Sequence, residues 1–167
     1  MRNTATASIT VALTAFVLAA CSSLDCPLNN RVYATFKLMG DVDTLTDTLT
    51  IATPRTADNL GEDTVLINRL TDADSLSLPM SYTRDEDTFF FEITQKDTQA
   101  KTCDTVWVDK ETQPHFESVD CNPAMFHTIT GVRHTNNAID SIKINYNKVT
   151  YNDSHAHFLI YFKKRGY

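Results

Sequence analysis

Apolar and polar side chains alternate along most of the chain that follows the N-terminal segment. In residues 32–38, Val, Ala, Phe and Leu take every second position between polar or small residues. The same period of two returns in "TFFFEIT" from Thr88, "SIKINY" from Ser141 and "HFLIYF" from His157. Successive side chains of a strand point to opposite faces of its sheet, so this period predicts strands with one buried face.

Shorter apolar segments between these four predict further strands. No apolar stripe with a helical period of 3.6 extends beyond two turns. We therefore expect an all-β protein, an antiparallel β-sandwich of about eight to ten short strands in a single domain over residues 32–167, with a small closed β-barrel as the alternative. The additional strands are predicted in the Thr-rich stretch around residues 45–51, in "TVLINRL" from Thr64, "SLSLPMSY" from Ser75, "TVWV" from Thr105, "HFESV" from His115 after a turn at "ETQP", and "MFHTITGV" from Met125.

The composition indicates an ordinary globular domain and narrows the function. Hydrophobic residues make up 42% and charged residues 22% of 167 residues, enough for one core. The net charge of −6 repels phosphate backbones, so we expect no nucleic-acid partner. With four glycines, the chain has no phosphate-binding loop, and it lacks the G-x-S-x-G and H-E-x-x-H motifs. We expect no cofactor and assign no catalytic residue.

The N-terminus has the pattern of an export signal. Arg2 precedes an uncharged apolar run over residues 5–20, which is shorter than the roughly 20 residues of a membrane-spanning helix. The run ends in Leu-Ala-Ala-Cys, which resembles a bacterial lipobox. We expect residues 1–20 to be a lipoprotein signal peptide, Cys21 to carry the lipid, and residues 21–31 to tether the domain to the membrane.

The lipid anchor leads to a prediction of location and function. Ser22, Ser23 and Leu24 follow the lipobox without the acidic run that resembles a surface-export signal. We expect a domain on the outer membrane that faces the periplasm. The main hypothesis is a non-catalytic binding or structural β-domain of the cell envelope, with an unknown envelope protein or ligand as its partner.

Two histidines carry the main alternative, a metal-assisted hydrolase. His155 and His157 share one side of an extended segment, and His127, Asp140 or Asp153 could complete a zinc or copper site in space. Paired histidines without a third spaced ligand are a weak signal, so we assign no metal site and prefer the interpretation of ordinary exposure at the end of a hairpin. A small-ligand carrier is a further alternative if the strands close into a barrel.

An Asp followed by Ser or Thr and then an apolar residue recurs along the chain. An Asp side chain can close a turn by accepting a hydrogen bond from the backbone two residues later, and Thr favours the strand that follows. The same pattern is similar to the O-glycosylation sequon of Bacteroides-type bacteria, which acts on exported proteins. The six matching acceptors are Thr44, Thr48, Thr64, Ser75, Thr105 and Ser141.

The cysteines suggest one disulfide. An oxidising compartment favours paired thiols, and acylation of Cys21 leaves Cys26, Cys103 and Cys121. A Cys26–Cys121 bond would tie the entry of the domain to a later strand. A Cys103–Cys121 bond would fit a hairpin of "TVWV" and "HFESV" about the "ETQP" turn.

Four segments carry a resemblance to a known family. "LDCPLNN", "LSLPMSY", "FESVDCNPAMFHTI" and "IDSIKIN" together resemble small envelope lipoproteins of unknown function from Bacteroides-type bacteria. The resemblance implies an oxidising Gram-negative envelope and brings no known activity. It also implies that Cys26 and Cys121 belong to the common pattern and that Cys103 is an extra, so we expect the Cys26–Cys121 disulfide.

Overall fold

A computed structural model describes Cys26 and residues 31–55, 62–151 and 153–164. These residues form ten strands in two sheets. No helix among them is long and apolar enough to cross a membrane. The strands are β1 (Tyr33–Met39), β2 (Thr48–Thr53), β3 (Thr64–Leu70), β4 (Ser75–Pro79), β5 (Glu86–Thr94), β6 (Lys101–His115), β7 (Ala124–His134), β8 (Ile139–Ile144), β9 (Lys148–Val149) and β10 (Phe158–Phe162).

The two sheets face each other across one hydrophobic core. One sheet has the order β4-β1-β10-β8 and the other the order β3-β2-β5-β6-β7-β9. Phe36 on β1 stacks on Phe158 of β10, with ring centroids 4.4 Å apart, and meets Phe91 of β5 edge-on at 6.1 Å. All three rings are fully buried. The predicted β-sandwich is confirmed, and its buried faces follow the predicted alternation.

One strand pair departs from the antiparallel expectation. β1 and β10 run parallel, with Phe36 opposite Phe158 and Leu38 opposite Ile160. A parallel pair cannot be joined by a tight hairpin. These strands lie near the two ends of the chain, so all the intervening strands form their connection.

The predicted turn at "ETQP" and the predicted strand at "HFESV" are wrong. β6 continues through Pro114 to His115, and residues 116–123 connect it to β7. Proline lacks a backbone N–H and is tolerated where one edge of a strand has no neighbour. β5 pairs with β6 only as far as Glu86 opposite Asp109, so Pro114 lies where β6 has lost that neighbour.

The Cys26–Cys121 disulfide is confirmed. The two Cα atoms are 5.4 Å apart, and Cys103 is a free, exposed thiol. The rival Cys103–Cys121 bond depended on the "ETQP" turn. Because β6 is instead continuous, Cys103 lies near its start and Cys121 beyond its end, roughly 40 Å of extended strand away.

Strand direction gives the sandwich two distinct ends. At one end, β1 and β5 begin, β2, β4 and β6 end, and the disulfide joins Cys26 to the β6–β7 connection. We call this the disulfide end. β6 begins at the opposite end, where the turn between β7 and β8 also lies.

Candidate functional site

A cleft of about 220 Å³ opens at the disulfide end between the two sheets. Arg31 reaches it from the entry to β1, Arg55 from the end of β2, and Arg84 from the connection between β4 and β5. Met80, Phe89 and Tyr82 supply apolar and aromatic walls. Three arginines around one opening are notable in a chain whose net charge is −6, because they create a local positive potential that attracts anions.

The arginines differ in their exposure to solvent. Arg84 is half-buried, and its Nη2 donates a hydrogen bond to the carbonyl oxygen of Pro54 at 2.8 Å. This bond spans from the β4–β5 connection to the end of β2. Arg31 and Arg55 are exposed. A guanidinium presents five N–H donors in a planar fork that matches a carboxylate or a phosphate, so the cleft has the chemistry of an anion site.

A buried ion pair lies beside this cleft, and one of its members, Asp87, also lines the cleft. Lys110 Nζ lies 2.9 Å from Asp87 Oδ2, and the two side chains are 0% and 4% exposed. Lys110 Nζ also donates to the carbonyl of Arg84 at 2.6 Å, and Asp87 accepts the backbone N–H of Ser81 at 3.1 Å. Burial raises the pKa of Asp87, although Lys110 opposes that rise. The pair ties the segment that carries Tyr82 and Arg84 to β5 and β6.

His127 lies close to this pair and is neutral at neutral pH. Its pKa falls to about 4, first because it is buried and second because the positive charge of Lys110 disfavours a second cation. Its Nδ1 is 3.0 Å from the Thr112 hydroxyl. His127 thus belongs to the core of the six-stranded sheet rather than to a surface site.

The two histidines considered as candidate metal ligands have different environments. His157 is fully buried, and its Nδ1 accepts the backbone N–H of Thr35 at 2.9 Å. Its Nε2 lies 3.1 Å from the Lys148 carbonyl and 3.1 Å from Asp153 Oδ2. His155 is exposed, next to the ring of Tyr146. A metal at His157 would have to displace one of these hydrogen bonds.

The remaining proposed ligands do not join the two histidines. His127 is bonded to Thr112 on a different sheet, and Asp140 is exposed on β8. Within the described residues, no group of three or more His, Cys, Asp or Glu side chains could hold a metal ion. His157 with Asp153 instead connects β1 to the segment that follows β9.

The six glycosylation acceptors fall into two classes of accessibility. Cys21, the predicted lipidation site, lies outside the described residues, whereas all six acceptors are described. Modification at these positions stays a prediction. Accessibility favours the three exposed acceptors over the three half-buried ones. Thr44, Thr64 and Ser75 are exposed, whereas Thr48, Thr105 and Ser141 are half-buried.

One Asp of the recurrent Asp-Ser/Thr pattern has a structural role that the sequence did not indicate. Asp104 on β6 is 2% exposed and accepts four hydrogen bonds of 2.6 to 2.8 Å from the β7–β8 turn. Burial raises its pKa, but these bonds together lower it below the ordinary value. The four donors are the Thr135 hydroxyl and the backbone amides of Asn137, Ala138 and Ile139.

Comparison with protein families gives a match. A model described as a family of unknown function (DUF6452) matches residues 48–162. The chain belongs to this family. The DUF6452 match begins at the first residue of β2 and ends at the last residue of β10, so it covers most of the cleft and Cys121 but not β1, Arg31 or Cys26. No curated protein and no solved structure matches the chain.

Proposed function

We propose that this DUF6452 protein is a lipid-anchored envelope protein, on the outer membrane facing the periplasm, whose β-domain binds an anionic group in the three-arginine cleft. The observation that carries the binding proposal is the convergence of Arg31, Arg55 and Arg84 on one opening. Arginine forks bind carboxylates and phosphates through paired, charge-assisted hydrogen bonds.

The size of the cleft favours a binding module over a carrier. Small-molecule pockets enclose about 300–1,000 Å³, whereas this cleft has about 220 Å³. It suits one carboxylate or phosphate group that projects from a larger partner, with Tyr82 and Met80 against the adjoining apolar part. Binding of such a group requires no catalytic step.

The anchor is supported by the sequence pattern and by the disulfide. Leu-Ala-Ala-Cys at residues 18–21 resembles a lipobox, and disulfides such as Cys26–Cys121 persist mainly in oxidising compartments. Intact mass spectrometry of the protein from bacterial envelopes tests this part. We expect a chain that begins at Cys21 and carries acyl groups, and Cys21→Ser should abolish the acylation. An unmodified chain that retains residues 1–20 would contradict the anchor.

Backbone NMR of the mature protein in an uncharged detergent tests the cleft. Inorganic phosphate and acetate serve as probes at constant ionic strength. We expect saturable shifts of the amides of Thr53 and Ser81, with millimolar dissociation constants, which correspond to about 4 kcal/mol of binding free energy. Arg55→Gln should weaken binding by about fivefold to tenfold, because it removes one charge-assisted contact.

The matched control is Arg69→Gln, which makes the same chemical change on β3, away from the cleft. It should leave the dissociation constants within about a factor of two. Equal losses in Arg55→Gln and Arg69→Gln would indicate general charge screening. That result, or shifts that never saturate, would refute the anion site.

A further inference from the structure

The β6–β7 connection presents two strongly exposed apolar side chains. Phe116 is 62% exposed and Val119 is 96% exposed. The pairing of β6 with β5 ends at Asp109, but β6 itself continues to His115. The connection over residues 116–123 therefore projects beyond the end of β5. We call residues 116–123 the hairpin tip. An isolated exposed apolar residue is common, whereas two on one short connection can contact an apolar surface together.

The hairpin tip rests on an ordered base. His115 stacks on Phe126 with ring centroids 4.3 Å apart, and Phe126 meets Tyr151 edge-on at 5.1 Å. The Cys26–Cys121 disulfide closes the other side of the tip. These contacts fix the base of the hairpin tip, while Phe116 and Val119 are exposed to solvent. The two apolar side chains are therefore presented by a well-packed part of the domain.

The disulfide determines which part of the domain lies next to the anchor. Cys26 is five positions after Cys21, a reach of at most about 18 Å when the chain is fully extended. Tyr33, the first residue of β1, is twelve positions after Cys21, a reach of about 40 Å. Because Cys26 is bonded to Cys121, the shorter tether leads to the hairpin tip rather than to β1.

We infer that the hairpin tip docks on the surface of the bilayer that holds the lipid anchor, with Phe116 and Val119 inserted among the headgroups. This inference rests on the proposed lipidation of Cys21. Glu117 and Asp120 flank the apolar residues and are exposed, so an anionic surface would repel the tip. A zwitterionic surface avoids this repulsion, and it also avoids a net attraction to the three arginines of the cleft at the same end. Tyr82, also exposed at this end, is of a residue type common at membrane interfaces.

Fluorescence quenching in reconstituted vesicles tests the docking. The mature acylated protein carrying Phe116→Trp is placed in vesicles of phosphatidylethanolamine and phosphatidylcholine, with part of the lipid brominated. Asp97→Trp is the matched control, because Asp97 is exposed in the β5–β6 turn at the opposite end. We expect at least twofold more quenching for Phe116→Trp, after subtraction of the native Trp107 signal.

Two further variants separate docking from anchoring, with vesicle flotation as the second measurement. Val119→Asp in the Phe116→Trp background should reduce the quenching at least twofold while the protein still floats with the vesicles. Joint replacement of Cys26 and Cys121 by Ser should have the same effect, since it lengthens the tether.

The outcomes distinguish the inference from the function on which it rests. Protein that floats but shows equal quenching at residues 116 and 97 overturns the docking and leaves the anchor standing. Absence of flotation and of acylation removes the anchor and the docking together. Crosslinking between copies through the tip, without quenching by lipid, overturns the docking in favour of self-association.

Discussion

Substitution of Asp104 by alanine should destabilise the domain more than any other change in the Asp-Ser/Thr pattern. The carboxylate accepts hydrogen bonds from the Thr135 hydroxyl and from three successive backbone amides that end at Ile139. Together these bonds hold the β7–β8 turn against β6, and so connect the two sheets through the chain. Alanine leaves all four donors without this acceptor.

The magnitude follows from the number of donors and their access to water. A hydrogen bond to a charged group contributes about 1.5–3 kcal/mol, and a buried donor without a partner costs about 1–3 kcal/mol. The four bonds share one carboxylate, and water can reach the partly exposed donors, so the values do not add fully. Only the Ile139 amide is fully buried. We expect a loss of about 3–5 kcal/mol from a total stability of about 5–15 kcal/mol.

Urea unfolding at pH 7 measures this loss through the fluorescence of Trp107, the one tryptophan of the chain. Asp140→Ala is the control. Asp140 belongs to the same sequence pattern but is exposed, so its replacement should change the free energy of unfolding by less than about 0.5 kcal/mol. If Asp104→Ala lost no more stability than Asp140→Ala, the hydrogen bonds of Asp104 would not stabilise the fold and the reasoning would be wrong.

The pH dependence gives a second check on the same residue. The pKa of Asp104 is lowered in the folded state, so its ionised form stabilises the fold. This contribution is fully present above the unfolded-state pKa of about 3.9 and is lost as the pH falls through the lower folded-state pKa. The stability difference between the parent and Asp104→Ala should therefore be largest above about pH 5 and shrink at more acidic pH.

Three other changes have defined outcomes. Joint replacement of Cys26 and Cys121 by Ser should lower the free energy of unfolding by about 4 kcal/mol, because the bond closes a separation of 95 residues; Cys103→Ser should leave it unchanged, and equal losses would contradict the assignment. The stability of the parent should fall by up to about 3 kcal/mol between pH 6.5 and pH 4, because the pKa of His127 is about 4 when folded and near 6.5 when unfolded. His127→Gln should remove that slope in urea titrations, and an unchanged slope would point to other groups. Lys110→Met should cost about 3–5 kcal/mol in the same assay, because it leaves a buried carboxylate without its counter-ion, and a neutral result would show that the carboxylate becomes protonated at little cost.

The alternation of apolar residues was enough to predict most of the strands. Phe89, Phe91 and Ile93 were expected on one face of a strand, and all three are buried on β5. This works because the period of two is a local property of an extended backbone. The pattern missed β9, whose two residues are too short to show a period.

Local patterns gave a wrong result where a neighbouring strand decided the outcome. Pro114 suggested a turn, yet it lies within β6, because the edge of β6 beyond β5 needs no N–H donor there. The segment "HFESV" was predicted to be a strand, but most of it lies in the connection between β6 and β7, where Phe116 and Val119 are exposed. A sequence shows that a residue is apolar, and it does not show whether another surface covers it.

The candidate site illustrates the same limit. Arg31, Arg55 and Arg84 are separated by 24 and 29 residues and form no spaced motif, yet the folding of β1, β2 and the β4–β5 connection onto one end brings them to one cleft. Similarly, an isolated Asp-Thr at residues 104–105 looks like the other Asp-Thr pairs until the β7–β8 turn supplies its four donors.

The sequence by itself determined most of the strands, the all-β class and, through a family resemblance, the pairing of Cys26 with Cys121. These depend on backbone period or on short contiguous motifs. Only the tertiary structure decided that β1 and β10 pair in parallel and that three arginines share one opening. It also decided that His157 is buried, with hydrogen bonds to Thr35 and Asp153. The physical reason is that these contacts join residues distant in the chain, and their geometry follows from how the two sheets pack.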